Sequence, residues 1–377
     1  MTLKRLITTA GLTAVAAIGT LAAGYATTAV AATTAPTEEY LLTVTRPGKL
    51  HVMDMTSHAI VRSCDIPGKF GSGAMAISPD GRVAYVLSNM WEDVYGIDIS
   101  NCRIVFSAAQ SSDDVKVKSF QSIAVSVDGT ELYTVQNPVR HLSDRMEVLE
   151  PRLAVFNIAD GLDAKPVRTF PVKRRITKIA ATATGEVILG GADIEAIDAK
   201  TGATRIVTAL ASWDRGPLWL PPDAFAMHSQ GEHVNEYIMP YVTARFESED
   251  WDFETAEWWW GMSRVDLETG EAEQMETIPF EFIIFTFVTD PHDSNILYGA
   301  FNTVSKHDIA KKETLLVEQL PHTYYSVNIS GDGKKLFIGG AGNDISIHDT
   351  ATLSKIGGIQ LPGDMSTADL RVARIRN

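Results

Sequence analysis

Residues 74–106 read AMAISPDGRVAYVLSNMWEDVYGIDISNCRIVF, and this stretch indicates the fold most clearly. Residues 74–78 predict a short strand that enters a Pro79-Asp80-Gly81 turn, and apolar stretches follow at 83–87, 94–97 and 103–106. Asp accepts backbone N–H groups in tight turns and Gly supplies a positive φ there. The stretch therefore predicts four short antiparallel strands joined by tight turns.

The same unit recurs seven times. In each copy an apolar stretch ends in Asp or Asn before a polar turn, and these marker residues are Asp54, Asp98, Asn157, Asp198, Asp266, Asp308 and Asp349. Their spacings are 44, 59, 41, 68, 42 and 41 residues, and most of them match the roughly 40–45 residues of a four-stranded propeller blade. The repeat predicts an all-β fold, a seven-bladed β-propeller formed by residues 39–377 as one domain.

The two ends of the repeat region indicate how the ring closes. Residues 40–45, 49–53 and 60–66 supply only three strands of the first blade, and residues 368–375 alternate as one further strand. If this last strand completes the first blade, no sheet edge stays open. We therefore expect the C-terminal strand to close the ring.

The N-terminus has the pattern of an export signal. Lys4 and Arg5 precede an apolar stretch over residues 6–25, and Ala29-Val30-Ala31 supplies a small-x-small cleavage pattern. The alternative is an uncleaved anchor, although the Thr and Gly residues of the stretch suit a spanning helix poorly. We predict a removed signal peptide over residues 1–31, followed by a short linker over 32–38.

The composition narrows the classes of partner. A formal net charge of −14 disfavours nucleic acid and anionic lipid surfaces and suits cationic partners, although an acidic balance also serves solubility. Cys64 and Cys102 are the two cysteines, and they fall in or beside the fourth strands of consecutive repeats. Export permits a disulfide between them, and two cysteines without matching Cys/His spacing predict no zinc site.

The two long spacings are insertions between second and third strands, over residues 136–151 and 243–261, so both should rise from the same face. The second contains Trp251, Trp258, Trp259 and Trp260. A tryptophan run on a surface loop predicts an interface with another chain, and the alternative is a loop that covers its own propeller. The first insertion, with Arg140 among its basic residues, suits an acidic partner or a solvated loop.

A third departure from the repeat lies between the sixth and seventh blades. Residues 320–328 read LPHTYYSVN, and the repeat does not require His322, Tyr324 or Tyr325. These side chains are either packing residues or part of a site beside the mouth of the central channel. The sequence has no covalent-haem, zinc-protease, nucleophile-elbow, phosphate-loop or dinucleotide pattern, which indicates a scaffold.

Several of these segments carry a resemblance to a known family. They are residues 320–330 (LPHTYYSVNIS), 332–333, 339–341 (GGA), 241–245 (YVTAR), 266–271 (DLETGE), 212–213 (SW) and 138–140 (PVR). In these segments, and over nearly all of the chain beyond the export signal, the sequence resembles the β subunit of quinohemoprotein amine dehydrogenase.

The resemblance implies a periplasmic heterotrimer that oxidises primary amines to aldehyde and ammonia. A small γ subunit carries cysteine tryptophylquinone, and a dihaem cytochrome c α subunit takes the electrons. The β subunit holds no cofactor or catalytic residue, so the isolated chain should be inactive; it holds the γ subunit and walls the substrate pocket. The candidates for pocket or partner contact are His322, Tyr324, Tyr325, Tyr241, Arg245, Arg140, Trp258 and Trp259.

Two alternatives stay open. One is the heavy subunit of a tryptophan tryptophylquinone amine dehydrogenase, which is also a seven-bladed propeller. The other is a stand-alone exported propeller that binds a ligand, with Trp258, Trp259 and Trp260 as a stacking platform. Neighbouring genes for a dihaem cytochrome would favour the quinohemoprotein enzyme over the first alternative, and tight binding of a carbohydrate by the isolated chain would support the second.

Overall fold

In the computed structural model of this protein, the residues described are 37–71, 73–224 and 230–376. They form seven antiparallel sheets arranged as the blades of a ring, which confirms the seven-bladed propeller. The predicted signal peptide over residues 1–31 lies outside the described residues. The first strand begins at Thr37, so the last two residues of the predicted linker belong to the first blade.

The strands of blades 1 to 3 are, in chain order, β1 (Thr37–Thr45), β2 (Lys49–Asp54), β3 (Ile60–Asp65), β4 (Met75–Ile77), β5 (Val83–Ser88), β6 (Asp93–Asp98), β7 (Ile104–Ala109), β8 (Val115–Lys118), β9 (Ile123–Val125), β10 (Glu131–His141), β11 (Met146–Val148), β12 (Arg152–Asn157) and β13 (Pro166–Pro171). Those of blades 4 to 7 are β14 (Lys178–Ala181), β15 (Glu186–Gly190), β16 (Ile194–Asp198), β17 (Thr204–Thr208), β18 (Asp223–Ala224), β19 (Gln230–Gly231), β20 (Glu236–Arg245), β21 (Glu257–Asp266), β22 (Ala272–Pro279), β23 (Thr286–Thr289), β24 (Ile296–Ala300), β25 (Thr303–Asp308), β26 (Glu313–Gln319), β27 (Ser326–Ile329), β28 (Lys335–Gly339), β29 (Asp344–Asp349) and β30 (Lys355–Gln360). The last strand, β31 (Arg371–Arg376), returns to blade 1.

The C-terminal strand closes the ring, as the sequence predicts. β31 pairs antiparallel with β1, and Leu41 lies opposite Val372. Blade 1 thus has the order β3-β2-β1-β31, with its innermost strand supplied by the far end of the chain. The pairing removes a sheet edge that would otherwise be open to other chains.

The Asp and Asn markers end the third strand of every blade. They are the last residues of β2, β6, β12, β16, β21, β25 and β29. Asp198 shows their role, because its Oδ1 atom accepts the backbone N–H groups of Lys200 and Thr201 at 2.8 and 2.7 Å. These hydrogen bonds hold the pKa of the Asp198 carboxyl below its usual value.

The core is divided into layers that lie between neighbouring blades. Leu42 of blade 1 and Val86 of blade 2, for example, belong to one buried cluster, and Trp260 of blade 5 and Phe287 of blade 6 belong to another. Alternate side chains of each strand face one sheet neighbour or the other, so strands buried on both faces read as nearly continuous apolar runs.

A disulfide also links the first two blades. It joins Cys64 in β3 to Cys102 in the turn before β7, across a Cα–Cα distance of 5.1 Å.

Within the described ranges, no helix has the length and apolar character that crossing a bilayer requires.

Buried charges cross the central channel. Lys178 at the start of β14 donates to Asp369, just before β31, at 2.8 Å, and both side chains are at most 5% exposed. Asp369 also accepts the backbone N–H of Met75 at 3.0 Å. Deeper in the channel, Arg371 pairs with Glu232, which accepts a hydrogen bond from Asn328. These bonds connect the inner strands of several blades.

Candidate functional site

In each blade, the connection between strands two and three and the link to the next blade lie on one face of the ring. We call this the loop face, and the opposite side the turn face. Both insertions extend from the loop face, because they lengthen the hairpins β10–β12 and β20–β21. Because every blade has the same four-stranded antiparallel arrangement, both insertions and residues 320–325 lie on the same side of the ring.

Three aromatic rings lie where the channel opens on the loop face. Phe285 directly precedes the inner strand β23, and Tyr325 directly precedes the inner strand β27. The Tyr325 ring lies 4.9 Å from that of Phe285 in a T-shaped arrangement and 5.8 Å from that of Phe301. All three rings are half-buried. They form one apolar wall that we call the mouth cluster.

Next to the mouth cluster, Asp344 joins two of the predicted candidates. The Tyr324 hydroxyl donates to Asp344 Oδ2 at 2.6 Å, and His322 Nε2 lies 2.9 Å from Asp344 Oδ1. The His322 and Tyr324 rings have centroids 4.1 Å apart. Burial is the main cause that raises the pKa of Tyr324 above its usual value, and the hydrogen bond to Asp344 raises it further.

Two polar contacts orient the ring of His322. Its Nδ1 atom lies 2.9 Å from the carbonyl oxygen of Thr323, which can only accept, and its Nε2 atom faces Asp344 Oδ1. The ring therefore presents an exposed edge beside the mouth cluster, while Tyr324 is fully buried and supports it from below.

Asp344 was not among the sequence candidates, although a signal for it exists. It opens the third strand of its blade, and Asp93 opens β6 in the same way. In blade 4, Asp193 lies just before β16 and accepts the backbone N–H groups of Leu210 and Ser212. A comparison of blades at this position would have marked Asp344 as a residue that organises the adjoining loop-face segment.

Tyr241 lies inside blade 5 and is fully buried. Its hydroxyl lies 3.4 Å from Glu276 Oε1, and the same carboxylate pairs with Arg215 at 2.7 Å. The Arg215 guanidinium is held between two indole rings, 4.0 Å from Trp213 and 3.5 Å from Trp219. Through Glu276 and Arg215, Tyr241 is therefore connected to the link between blades 4 and 5. Burial raises the pKa of the Tyr241 hydroxyl.

The tryptophan run differs from the sequence expectation. Residues 258–260 lie in strand β21 and not on a surface loop. Trp260 is 1% exposed, and its Nε1–H donates to the carbonyl oxygen of Phe282 at 3.0 Å. Trp258 packs beside Phe280, and Lys312 Nζ lies 5.5 Å from the Trp259 ring. The predicted placement on a loop is wrong because the hairpin strands continue beyond the length of those in the other blades, so these three side chains belong to a sheet.

The basic residues of the first insertion are largely paired. Arg140 contacts Glu147 at 2.9 Å and Asp114 at 3.8 Å. The upper half of β10 forms a small three-stranded extension with β8 and β11. In the second insertion, exposed Arg245 lies 3.9 Å from Glu257. Arg140 and Arg245 therefore lie on the two extended hairpins and not at the channel mouth.

The described residues contain no group of three or more His, Cys, Asp or Glu side chains with the arrangement of a metal site. The turn face has a recess of about 460 Å³, which Arg371, Arg374, Glu232 and His233 help to line. Burial lowers the pKa of His233, so its ring carries little charge at neutral pH. The turn face thus offers a polar recess, whereas the loop face offers aromatic rings.

Comparisons with known proteins identify the fold. No protein-family model matches the chain, and no curated protein matches it. A protein of unknown function from Desulfotomaculum acetoxidans DSM 771 is similar, with a TM-score of 0.56 and 11% identity over 89% of this chain and 98% of that one.

Two further solved structures share the architecture. Apo AztD from Citrobacter koseri has a TM-score of 0.53 and 10% identity over 90% of this chain and 99% of that chain. Hydrazine synthase from Kuenenia stuttgartiensis has a TM-score of 0.51 and 12% identity over 84% and 90%. At these identities the similarity shows the fold alone, and the chain is a seven-bladed β-propeller of the broad class to which these proteins belong.

Proposed function

We propose that this chain is the propeller subunit of a periplasmic quinohemoprotein amine dehydrogenase. In this assembly a small γ subunit supplies cysteine tryptophylquinone and a dihaem cytochrome c supplies haem c. The observation that carries the proposal is the position of residues 320–330, which hold the most specific part of the resemblance. The first part of this segment, residues 320–325, borders the channel mouth on the loop face, where His322, Tyr324 and Asp344 form one hydrogen-bonded group.

The chemistry of the loop face agrees with a pocket wall. The mouth cluster of Phe285, Phe301 and Tyr325 offers half-buried aromatic surface, which suits the apolar part of a primary amine. The net charge of −14 favours the approach of a protonated amine. Both oxygens of Asp344 already have partners, so the base that takes the α-proton belongs to the quinone-bearing partner in this proposal.

In this proposal the propeller and its partner subunit have different tasks. Tyr324 and Asp344 fix His322, and His322 and Tyr325 present their exposed edges to the bound partner or substrate. The cofactor of the partner carries the oxidation, and the propeller binds and orients. The isolated chain should show no amine-dependent dye reduction.

The test uses the complex isolated from its native host through a tag on this chain. His322→Ala should raise the KM for the amine or reduce the recovery of the small subunit by about tenfold, a loss of about 1.4 kcal/mol in binding. His292→Ala is the matched control. His292 is an exposed histidine in the turn between β23 and β24, which lies on the turn face, away from the channel mouth. Equal behaviour of the two variants would exclude the loop-face mouth as the site.

A further inference from the structure

The tip of the β20–β21 hairpin concentrates negative charge. We call residues 245–257 the acidic hairpin, and its carboxylates are Glu247, Glu249, Asp250, Asp252, Glu254 and Glu257. All of them are exposed, and among the described residues only Arg245, 3.9 Å from Glu257, forms an ion pair with any of them. Like charges at this density repel one another and contribute nothing to packing.

Aromatic rings lie among these carboxylates. Trp251 stacks on Phe246 with ring centroids 5.0 Å apart and planes 2° apart, and Phe253 meets Phe246 edge-on at 5.2 Å. Phe246 is buried, but Trp251 is 37% exposed and Phe253 is 53% exposed. The hairpin therefore presents two large rings to solvent within a rim of acidic side chains.

The acidic hairpin is also held in one conformation. Trp251 Nε1 donates to the carbonyl oxygen of Pro217 at 2.8 Å, which ties the tip to the link between blades 4 and 5. Asp252 Oδ1 accepts the backbone N–H of Glu254 at 2.9 Å, which fixes the turn. A surface ordered before binding loses less conformational entropy when a partner docks.

We propose that the acidic hairpin docks a basic protein, whose Lys and Arg side chains pair with the carboxylates and lie over Trp251 and Phe253. Cations bind the faces of aromatic rings, and an aromatic centre within a charged rim is the usual composition of a protein interface. Nearby, Arg215 already lies between two indole rings and Lys312 lies over Trp259. Nucleic acid and anionic membranes are repelled by the same charges.

This inference does not depend on the amine dehydrogenase proposal, because it uses only the chain's own surface. The probe is an octalysine peptide, which represents the partner's basic chemistry, and binding to the chain is measured by calorimetry at low and high salt. The wild-type chain should bind octalysine with an affinity that falls as salt rises. An octaglutamate peptide should not bind.

Variants locate the binding. Neutralising the hairpin with E247Q/E249Q/D252N/E254Q should weaken octalysine binding by about tenfold or more, since the attractive charges are lost. The matched control, E271Q/E273Q/E313Q/E318Q, removes the same charge from exposed carboxylates outside the hairpin and should leave the affinity within about twofold. F253L keeps an apolar side chain at an exposed position and should weaken binding through loss of the ring alone.

The proposal is overturned if the control set weakens binding as much as the hairpin set, because binding then follows total charge. It is also overturned if the hairpin set leaves the affinity unchanged. F253L keeps an apolar side chain against Phe246 at a position that is 53% exposed, so its result holds even if the multiple variant unfolds. In that case an unchanged affinity for F253L overturns the aromatic part of the proposal.

Discussion

Side-chain direction along β21 separates tryptophans that stabilise the fold from those that face outward. Trp259 and Trp260 are neighbours in sequence, but successive side chains of a strand point to opposite faces. Trp260 contacts Phe280 and Phe287, with ring centroids 5.2 and 5.9 Å away, between blades 5 and 6. Trp259 is only partly buried and lies beside Lys312.

These contacts predict different costs for the two alanine substitutions. Trp260→Ala should lower the free energy of unfolding by about 3–5 kcal/mol, because it leaves a cavity in a closed layer. Trp259→Ala should cost clearly less, since solvent can fill the space. Urea unfolding followed by circular dichroism measures both, and equal losses would show that the alternation in β21 is misassigned.

The turn carboxylates predict a dependence on pH. Asp198→Ala should cost about 1 kcal/mol at pH 7, because two backbone N–H groups lose their acceptor. The backbone N–H groups of Thr201 and Lys200 lower the pKa of this carboxyl below its ordinary value of 3.8. The charged form therefore stabilises the fold above that pH, and this contribution is lost as the pH falls through the lowered pKa.

The measurement compares wild type and Asp198→Ala by urea unfolding across acidic pH. Their difference should stay constant above about pH 5 and shrink below about pH 4, where the wild-type carboxyl becomes protonated. A difference that grows on acidification would contradict the assigned role.

The Asp markers could be predicted from the sequence because turn chemistry is local. Asp344, in contrast, acts through contacts with His322 and Tyr324, about twenty residues away.

At the scale of elements, strand identity could be predicted from the sequence but strand length in the insertions could not. The β10 and β20 strands run on to His141 and Arg245, where loops were expected. Their extra pairing depends on partners such as β8, which lies outside the local repeat and pairs with residues 137–140 of β10. Such pairings are tertiary contacts, and alternation alone does not reveal them.

The disulfide predicts a measurable stabilisation of the link between blades 1 and 2. Cys64 and Cys102 are 38 residues apart, and replacing both with Ala frees this loop in the unfolded chain. The free energy of unfolding should fall by roughly 2–4 kcal/mol on the loop-closure argument. Urea unfolding of the double variant beside the wild type under oxidising conditions measures it, and an unchanged midpoint would contradict the prediction.

At the scale of the whole molecule, the ring depends on β31. Val372 and Ala373 are buried in the layers on either side of blade 1, and Asp369 pairs with Lys178 across the channel. Burial lowers the pKa of Lys178, and Asp369 opposes this shift. Closure of this kind was predictable because three leading strands and one trailing strand are complementary, but the charged channel was not, since no local pattern marks it.

Deletion of residues 368–377 should therefore destabilise the entire ring and not one blade. It opens a sheet edge, exposes two apolar layers and leaves Lys178 buried without its carboxylate. The Tm should fall by about 10 °C or more, because a loss of several kcal/mol shifts the Tm of a domain this large by a few degrees per kcal/mol. A chain that lacks only the last residue is the control, and an unchanged Tm in the longer deletion would contradict ring closure.

Isolation of this chain, through an affinity tag, from its native host grown on a primary amine tests the amine dehydrogenase assignment. We predict that a small polypeptide that stains for quinone and a cytochrome with two c-type haems co-purify with it, and that the complex reduces a dye only when amine is added. Recovery of a quinone polypeptide without the cytochrome would favour a tryptophan tryptophylquinone enzyme. Recovery of the chain alone, with no quinone stain and no haem, would exclude the amine dehydrogenase assignment.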